Sequence, residues 1–231
     1  EGWIFRPPQC WAVMSGAATE EQARTALNSV DKHLFTEYGL MALQPPYYHA
    51  DCKEIRAMVL NPGQKENAGI FNHSQGWTII ANTMIGEGDR AYRYLKAFLP
   101  SRFNDCAEVR KIEPYVHGQS TDSFFSKEPG QGHLPWLTGS ASWTHFTMLQ
   151  YILGLRPERA GLRIDPCIPS DWPGFSATRR FRGKTISIEV KNPNAKNKGV
   201  TRTTLNGEVL EGNLIPGEKL QSENLVICEL G

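Results

Sequence analysis

The sequence lacks a charge surplus: 25 Lys and Arg face 24 Asp and Glu, a formal net charge of +1. A surface that gains affinity by neutralising phosphodiesters carries a basic excess. No nucleic acid is therefore expected as a partner. No apolar run comes near the roughly 18 residues of a membrane span, so no membrane is expected either. Paired cysteines are missing too. Cys10, Cys52, Cys106, Cys167 and Cys228 are odd in number, widely spaced and without a C-x-x-C. That argues against a zinc site or a disulfide framework and fits reduced thiols in a cytoplasmic protein. The opening Glu1-Gly2-Trp3-Ile4 has neither an initiating Met nor a basic n-region, so neither a signal peptide nor a natural start is expected. Internal repeats and low-complexity tracts are absent. What remains is 231 residues, 40% hydrophobic and 21% charged. That is enough to bury a core without staples, and it is not a disordered composition.

The chain changes character near residue 160. Before it, helical periodicity dominates. Thr19-Glu20-Glu21-Gln22 reads as a capping box, followed by Ala23, Ala26, Leu27, Val30 and Leu34 at three- and four-residue spacing. Trp77, Ile80, Ala81 and Met84 form a second stripe, ending at Gly86-Glu87-Gly88. Asp89 then reads as the cap of a helix carrying Tyr92, Leu95 and Phe98. A further helix is expected from about Ser140 to Leu153, closed by Gly154 and Pro157. Residues 39–72 and 104–137 are long, aromatic and short of helical stripe, which suggests site-building loops on a helical scaffold. After residue 160 the pattern turns to β. Ile186, Ile188 and Val190 alternate with polar residues, Asn206-Gly207 signals a tight hairpin, and Leu225-Val226-Ile227-Cys228 reads as a closing strand.

Three segments could carry chemistry. His73, before the Trp77 stripe, sits where an imidazole could serve an anion at a helix N-terminus. On local pattern alone, a structural histidine holding a loop is the stronger reading. Thr138-Gly139-Ser140 would start the next helix, and free amides there form an anion nest. It has no Walker sequence, and an ordinary capped helix competes with the nest. The third segment, Glu113 to Ser123, holds two carboxylates, His117 and Gln119. Gln119 could meet sugar hydroxyls or phosphate oxygens, whereas Glu113 and Asp122 could equally be structural. His117 and His133 read as surface residues. Tyr47, Tyr48, Trp77, Tyr115, Phe124, Phe125, Trp136 and Trp143 cluster around these segments, and aromatic faces beside hydroxyl-binding groups suit a sugar ring.

Four stretches together resemble a known family. They are Lys65 to His73, Ile112 to Val116, Trp136 to Trp143, and Gly161 to Pro169. They look like the C-terminal part of the glycoside hydrolase family 94 phosphorylases, in order and over nearly the whole chain. Gln119 to Ser123 looks closer to the cellodextrin and laminaribiose branch than to the chitobiose one. The resemblance implies an α+β fold. Residues 1–159 would be the C-terminal portion of an (α/α)6 catalytic barrel, and residues 160–231 a small antiparallel β-sandwich domain. It implies that His73, Thr138 and Gly139 hold inorganic phosphate, with Gln119 lining the same pocket, and that Lys65 and Glu66 approach the acceptor sugar. It also moves the binding readings ahead of the structural ones.

The implied reaction is inverting phosphorolysis of a β-linked gluco-disaccharide or oligosaccharide, giving α-glucose 1-phosphate. A hydrolase needs a second carboxylate to activate water. Phosphate is already an anion and needs positioning instead. No metal or organic cofactor is expected, and phosphate is a co-substrate. In the family the general acid is an Asp upstream of the phosphate His, and a phosphate-binding Arg is upstream as well. Neither has a matching segment here. The expectation is thus a C-terminal fragment with no catalytic acid of its own, inactive alone and partnered by the remainder of its polypeptide. Glu113 and Asp122 stay structural. Family members are commonly homodimers. The alternatives are a cyclic-glucan or β-glucan glucosyltransferase of the same family and a non-catalytic carbohydrate-binding module.

Overall fold

The capping box at Thr19 starts a helix, as its residues require. In the computed structural model, which describes residues 1–231, Thr19 Oγ1 accepts from Gln22 N and Gln22 Oε1 accepts from Thr19 N. Two compact units are present: residues 1–85 with 93–145, and residues 86–92 with 146–231.

In the first unit, α1 (Arg6–Met14) carries Pro7 and Pro8 in its first turn, where an N–H has no intrahelical partner to lose. α2 (Glu20–Leu34) buries Ala23, Leu27, Val30 and Leu34. Cys10, Val13, Ala23, Leu27 and Ala81 form one apolar cluster. Short strands follow: β1 (Ile4–Phe5), β2 (Phe35–Thr36), β3 (Gly39–Leu40) and β4 (Leu43–Gln44), with β1 paired to β4 and β2 to β3.

α3 (Gln75–Met84) departs from the expected stripe. It buries Gln75, Gly76 and every residue from Thr78 to Thr83, while Met84 is 44% exposed. A helix enclosed on most of its circumference has no single apolar face to read. α4 (Gly88–Phe98) buries Leu95 and Phe98 as expected. Asp89 lies inside its first turn rather than capping it, and its carboxylate accepts from Ser170 N and Oγ. A four-residue helix, α5 (Ala107–Arg110), ends at Lys111 with φ 55°.

The long segments 39–72 and 104–137 build a sheet that the periodicity did not reveal. β5 (Ile70–Phe71), β6 (Gly118–Thr121) and β7 (Gly132–Pro135) pair antiparallel in the order β5-β6-β7. α6 (Ser140–Thr147) runs on into a π-turn at Met148–Ile152. Gly154 closes it at φ 69°. Pro157 does not: it lies in a strand.

That strand is β8 (Leu155–Pro157), which pairs with β9 (Gly161–Ile164) in the second unit. β10 (Gly174–Phe181), β11 (Lys184–Lys191), β12 (Val200–Leu205), β13 (Glu208–Leu210), β14 (Leu214–Pro216) and β15 (Glu223–Leu230) complete it. One sheet has the order β10-β11-β15-β12-β13 and the other β14-β9-β8. Asn206 and Gly207 turn the β12–β13 hairpin with φ 51° and 90°. Ile186, Ile188 and Val190 face inward, as their alternation requires. The larger sheet is mixed rather than purely antiparallel, because β11 pairs with β15 in parallel. A parallel pair needs a long crossover, and residues 192–222 supply one. Helices and sheets together make the chain α+β.

Candidate active site

His73 is held in a one-turn 3-10 helix, Asn72–Ser74, between β5 and α3. Its neighbours are pinned by buried polar groups. Asn72 Nδ2 donates to Gly118 O and Thr121 Oγ1. Gln75 Nε2 donates to Leu40 O and Phe71 O, and Gln75 Oε1 accepts from Leu40 N. The imidazole itself is half-buried and lies between aromatic rings. Its centroid is 6.2 Å from Trp77 and 6.2 Å from Trp143, which meet each other edge-on at 85°.

The start of α6 comes to the same imidazole. A β-carbon built on Gly139 would lie 2.9 Å from His73 Cε1 and 3.0 Å from Nδ1. Only a residue without a side chain allows that approach. Thr138 Oγ1 accepts from Ser140 N and lies 2.6 Å from Ser140 Oγ, which donates to Gly118 O. Gly139 O takes the first helical hydrogen bond, from Trp143 N. His73 thus lies just before the start of α3 and against the residue that precedes α6, so the partial positive charge of two helix N-termini is close to it. Such a place suits a small anion.

Gln119 lies on β6, beside the strand that leads into His73 and next to Gly118, whose carbonyl receives Asn72 and Ser140. Lys65 and Glu66 lie in the turn before β5, with no hydrogen bond or ion pair to His73. That turn is fastened to the 122–126 segment. Ser123 N donates to Gly63 O, Gln64 Nε2 donates to Asp122 Oδ2, and a β-carbon on Gly63 would lie 2.2 Å from Ser126 N. Beside the turn is a cleft of about 510 Å³ lined by Tyr48, Asn61, Gln64, Phe125, Lys127 and Gln131, among others. All six non-glycine residues of this unit with φ in the left-handed region fall in the two long segments: Lys65, Ala68, Lys111, Tyr115, Leu134 and Trp136. Backbone strain is thus stored around the site.

The two carboxylates separate clearly. Glu113 is exposed and accepts from Trp136 Nε1 at 3.1 Å. Its own backbone N–H and the Trp136 indole hold it below the usual carboxylate range, the reverse of what a general acid needs. Asp122 is buried and accepts from Gln64 and Ser126. His117 is not the surface residue its sequence context suggested, whereas His133 keeps 30% of its side chain exposed. His133 Nε2 sits 2.8 Å from Asp122 Oδ1, a close contact that is not a well-directed hydrogen bond. His117 packs against the Phe98 ring, its Nδ1 buried without a partner. Burial, reinforced by the Arg110 charge, lowers its pKa to about 4. The surface reading of His117 failed because its surroundings, Phe98 and Arg110, lie on other elements. Sequence reasoning also passed over Asn72, whose only signal is a short amide directly before the histidine. No group of three or more His, Cys, Asp and Glu side chains is gathered as a metal site would need. No helix is long and apolar enough to cross a membrane.

Residues 1–154 match the model of the glycosyl hydrolase 94 superfamily catalytic domain. The chain belongs to that family. Residues 155–207 match the C-terminal domain of glycosyl hydrolase family 65. Among the family's curated members, an N,N'-diacetylchitobiose phosphorylase of Vibrio proteolyticus is 40% identical over 232 residues, covering 100% of this chain and 29% of its own length. A solabiose phosphorylase of Paenibacillus borealis is 34% identical over 221 residues, covering 94% of this chain and 28% of its own. This family member thus spans less than a third of the relatives it matches. The 40% identity is to a chitobiose enzyme, not to the cellodextrin or laminaribiose branch expected from residues 119–123. Among solved structures, a GH92 α-mannosidase of Bacteroides thetaiotaomicron aligns with 96% of the chain and 23% of its own at a TM-score of 0.36 and 10% identity, too loose a likeness to argue from.

Proposed function

We propose that this chain supplies the phosphate-binding side of an inverting disaccharide phosphorylase, with His73, Thr138, Gly139 and Gln119 around the anion. The observation that carries this reading is the seating of His73 on Gly139, beside the starts of α3 and α6. The substrate class is a β-linked disaccharide or oligosaccharide of gluco-configured units, glucose or N-acetylglucosamine. A phosphate oxygen attacks the anomeric carbon from the α face as the glycosidic C–O bond breaks, giving the α-sugar 1-phosphate. A carboxylic acid protonates the leaving oxygen. Imidazole N–H, hydroxyl and amide donors hold the nucleophile in line and offset the repulsion between its charges. The reaction so drawn uses no metal or organic cofactor. Lys65 and Glu66 adjoin the cleft lined by Gln64 and Tyr48, which suits an acceptor sugar. In this reading neither Glu113, whose carboxyl is held below its usual range, nor Asp122, which is buried against Gln64 and Ser126, serves as that acid. In this reading residues 1–159 are the closing part of an (α/α)6 barrel and residues 160–231 a β-sandwich of the two sheets, in a cytoplasmic enzyme.

The test is His73→Ala in the full-length protein. The phosphate concentration needed for half-maximal turnover should rise by roughly 30-fold or more, while the sugar requirement changes little. An unchanged phosphate dependence would sink the assignment.

A further inference from the structure

Arg6, the first residue of α1, is 1% exposed. Its Nη2 donates to Ser74 Oγ and Phe71 O, while Nε and Nη1 have no hydrogen-bond partner. No carboxylate pairs with it, and the one titratable group acting on it is the Cys10 thiol. Burial lowers its pKa to about 10, which leaves it a cation at neutral pH. Buried charges in folded proteins are normally paired, and an uncompensated one costs on the order of several kcal/mol. The side chain is already enclosed by this chain, so nothing docking from outside can reach it.

Its position adds to that cost. Ser74 directly precedes α3 but does not cap it; the hydroxyl donates to Phe71 O and accepts from Arg6 instead. A full positive charge therefore sits at the positive end of a ten-residue helix, where the two repel. The preceding residue is His73, facing the start of α6. The guanidinium is thus bonded to the residue that precedes α3, the start of α6 lies against the next residue back, His73, and no carboxylate is bonded to the guanidinium. An anion bound beside His73 would relieve the guanidinium and both helix N-termini.

We propose that Arg6 is a positioning residue for the bound phosphate, which holds the Phe71–Ser74 turn that presents His73 and makes the potential at that turn positive from inside the fold. It does not touch the phosphate. The inference rests on the phosphate reading above and adds to it a residue that is remote in sequence and hidden from the ligand.

The experiment is calorimetric titration of inorganic phosphate into the full-length protein and its variants Arg6→Met, Arg6→Lys, Ser74→Ala and His73→Ala, with melting temperatures measured alongside. Arg6→Met should weaken phosphate binding on the order of tenfold, and Arg6→Lys, which keeps the charge, should restore it to within about threefold. If Arg6→Met lowers the melting temperature and leaves phosphate affinity unchanged, the residue is structural and the proposal is overturned. Should Arg6→Met not fold, Ser74→Ala decides, since it keeps the charge and removes the shorter of the two hydrogen bonds that tie it to the turn, leaving only the longer one to Phe71 O. A loss of roughly three- to tenfold supports the proposal, and unchanged affinity overturns it. His73→Ala separates the two levels. If it weakens binding while the Arg6 and Ser74 variants do not, only this inference falls; if no variant matters, the phosphate reading falls with it.

Discussion

Gly139 lies against the His73 ring so closely that a single added methyl group would come 2.9 Å from the imidazole. The φ of Gly139 is not in the left-handed region, so an alanine there strains contacts rather than backbone. Gly139→Ala should displace the ring and its donor nitrogen by several tenths of an ångström. In the full-length protein we expect the phosphate requirement to rise by about tenfold or more, with a stability loss of roughly 1–2 kcal/mol. Steady-state kinetics in phosphate, with a thermal melt alongside, check this. A loss of stability without a change in phosphate dependence would show that the contact serves packing alone.

His117 should make stability depend on pH. Its folded pKa is lowered from 6.5 to about 4, first by burial and then by the Arg110 charge. Between those values the unfolded chain binds the proton and the folded chain does not. The sign follows: this contribution is fully present above pH 6.5 and is lost as the pH falls toward 4. Urea midpoints of the full-length protein at about pH 7.5 and pH 5 should differ, and His117→Leu should shrink that difference by removing the titrating group. An identical pH dependence in the variant would mean that other groups carry it.

The parts of the fold that are legible in the sequence are those whose cause is local. Thr19 and Gln22 are three residues apart, and their reciprocal hydrogen bonds need nothing else. Asn206-Gly207 sets its own hairpin for the same reason. The β5-β6-β7 sheet was hidden because its strands are two to four residues long and β5 pairs with a segment far along the chain. Each half of the candidate site could be read as a helix start, but the contact between His73 and Gly139 could not. Arg6 gave no signal, since an arginine beginning a helix reads as solvated. His117 misled in the same way: its partners Phe98 and Arg110 lie on other elements, and burial is a property of the assembled fold.

Asp122 is the carboxylate most easily mistaken for a catalytic acid, and the structure argues for a different use. Its Oδ2 accepts from Gln64 Nε2 at 3.0 Å and Ser126 Oγ at 2.7 Å, and Oδ1 faces His133. Its backbone N–H donates to Gln131 O, and its carbonyl accepts from Gly130 N. These bonds join the Lys65 turn to the 122–131 segment. Asp122→Ala removes the acceptor of the Gln64 and Ser126 donors, which are part-buried beside the cleft, so it should cost roughly 1–3 kcal/mol. Asp122→Asn should cost less but still destabilise, because an amide nitrogen would meet one of those donors or the His133 ring. At a temperature where both variants are fully folded, turnover should persist in each. A general acid would behave otherwise. Its loss would abolish cleavage of a natural glycoside while sparing a substrate, such as a glycosyl fluoride, whose leaving group needs no proton. Comparing the two substrates in Asp122→Asn therefore separates an anchor from an acid: similar activity ratios mark the anchor, and rescue by the fluoride alone would overturn it.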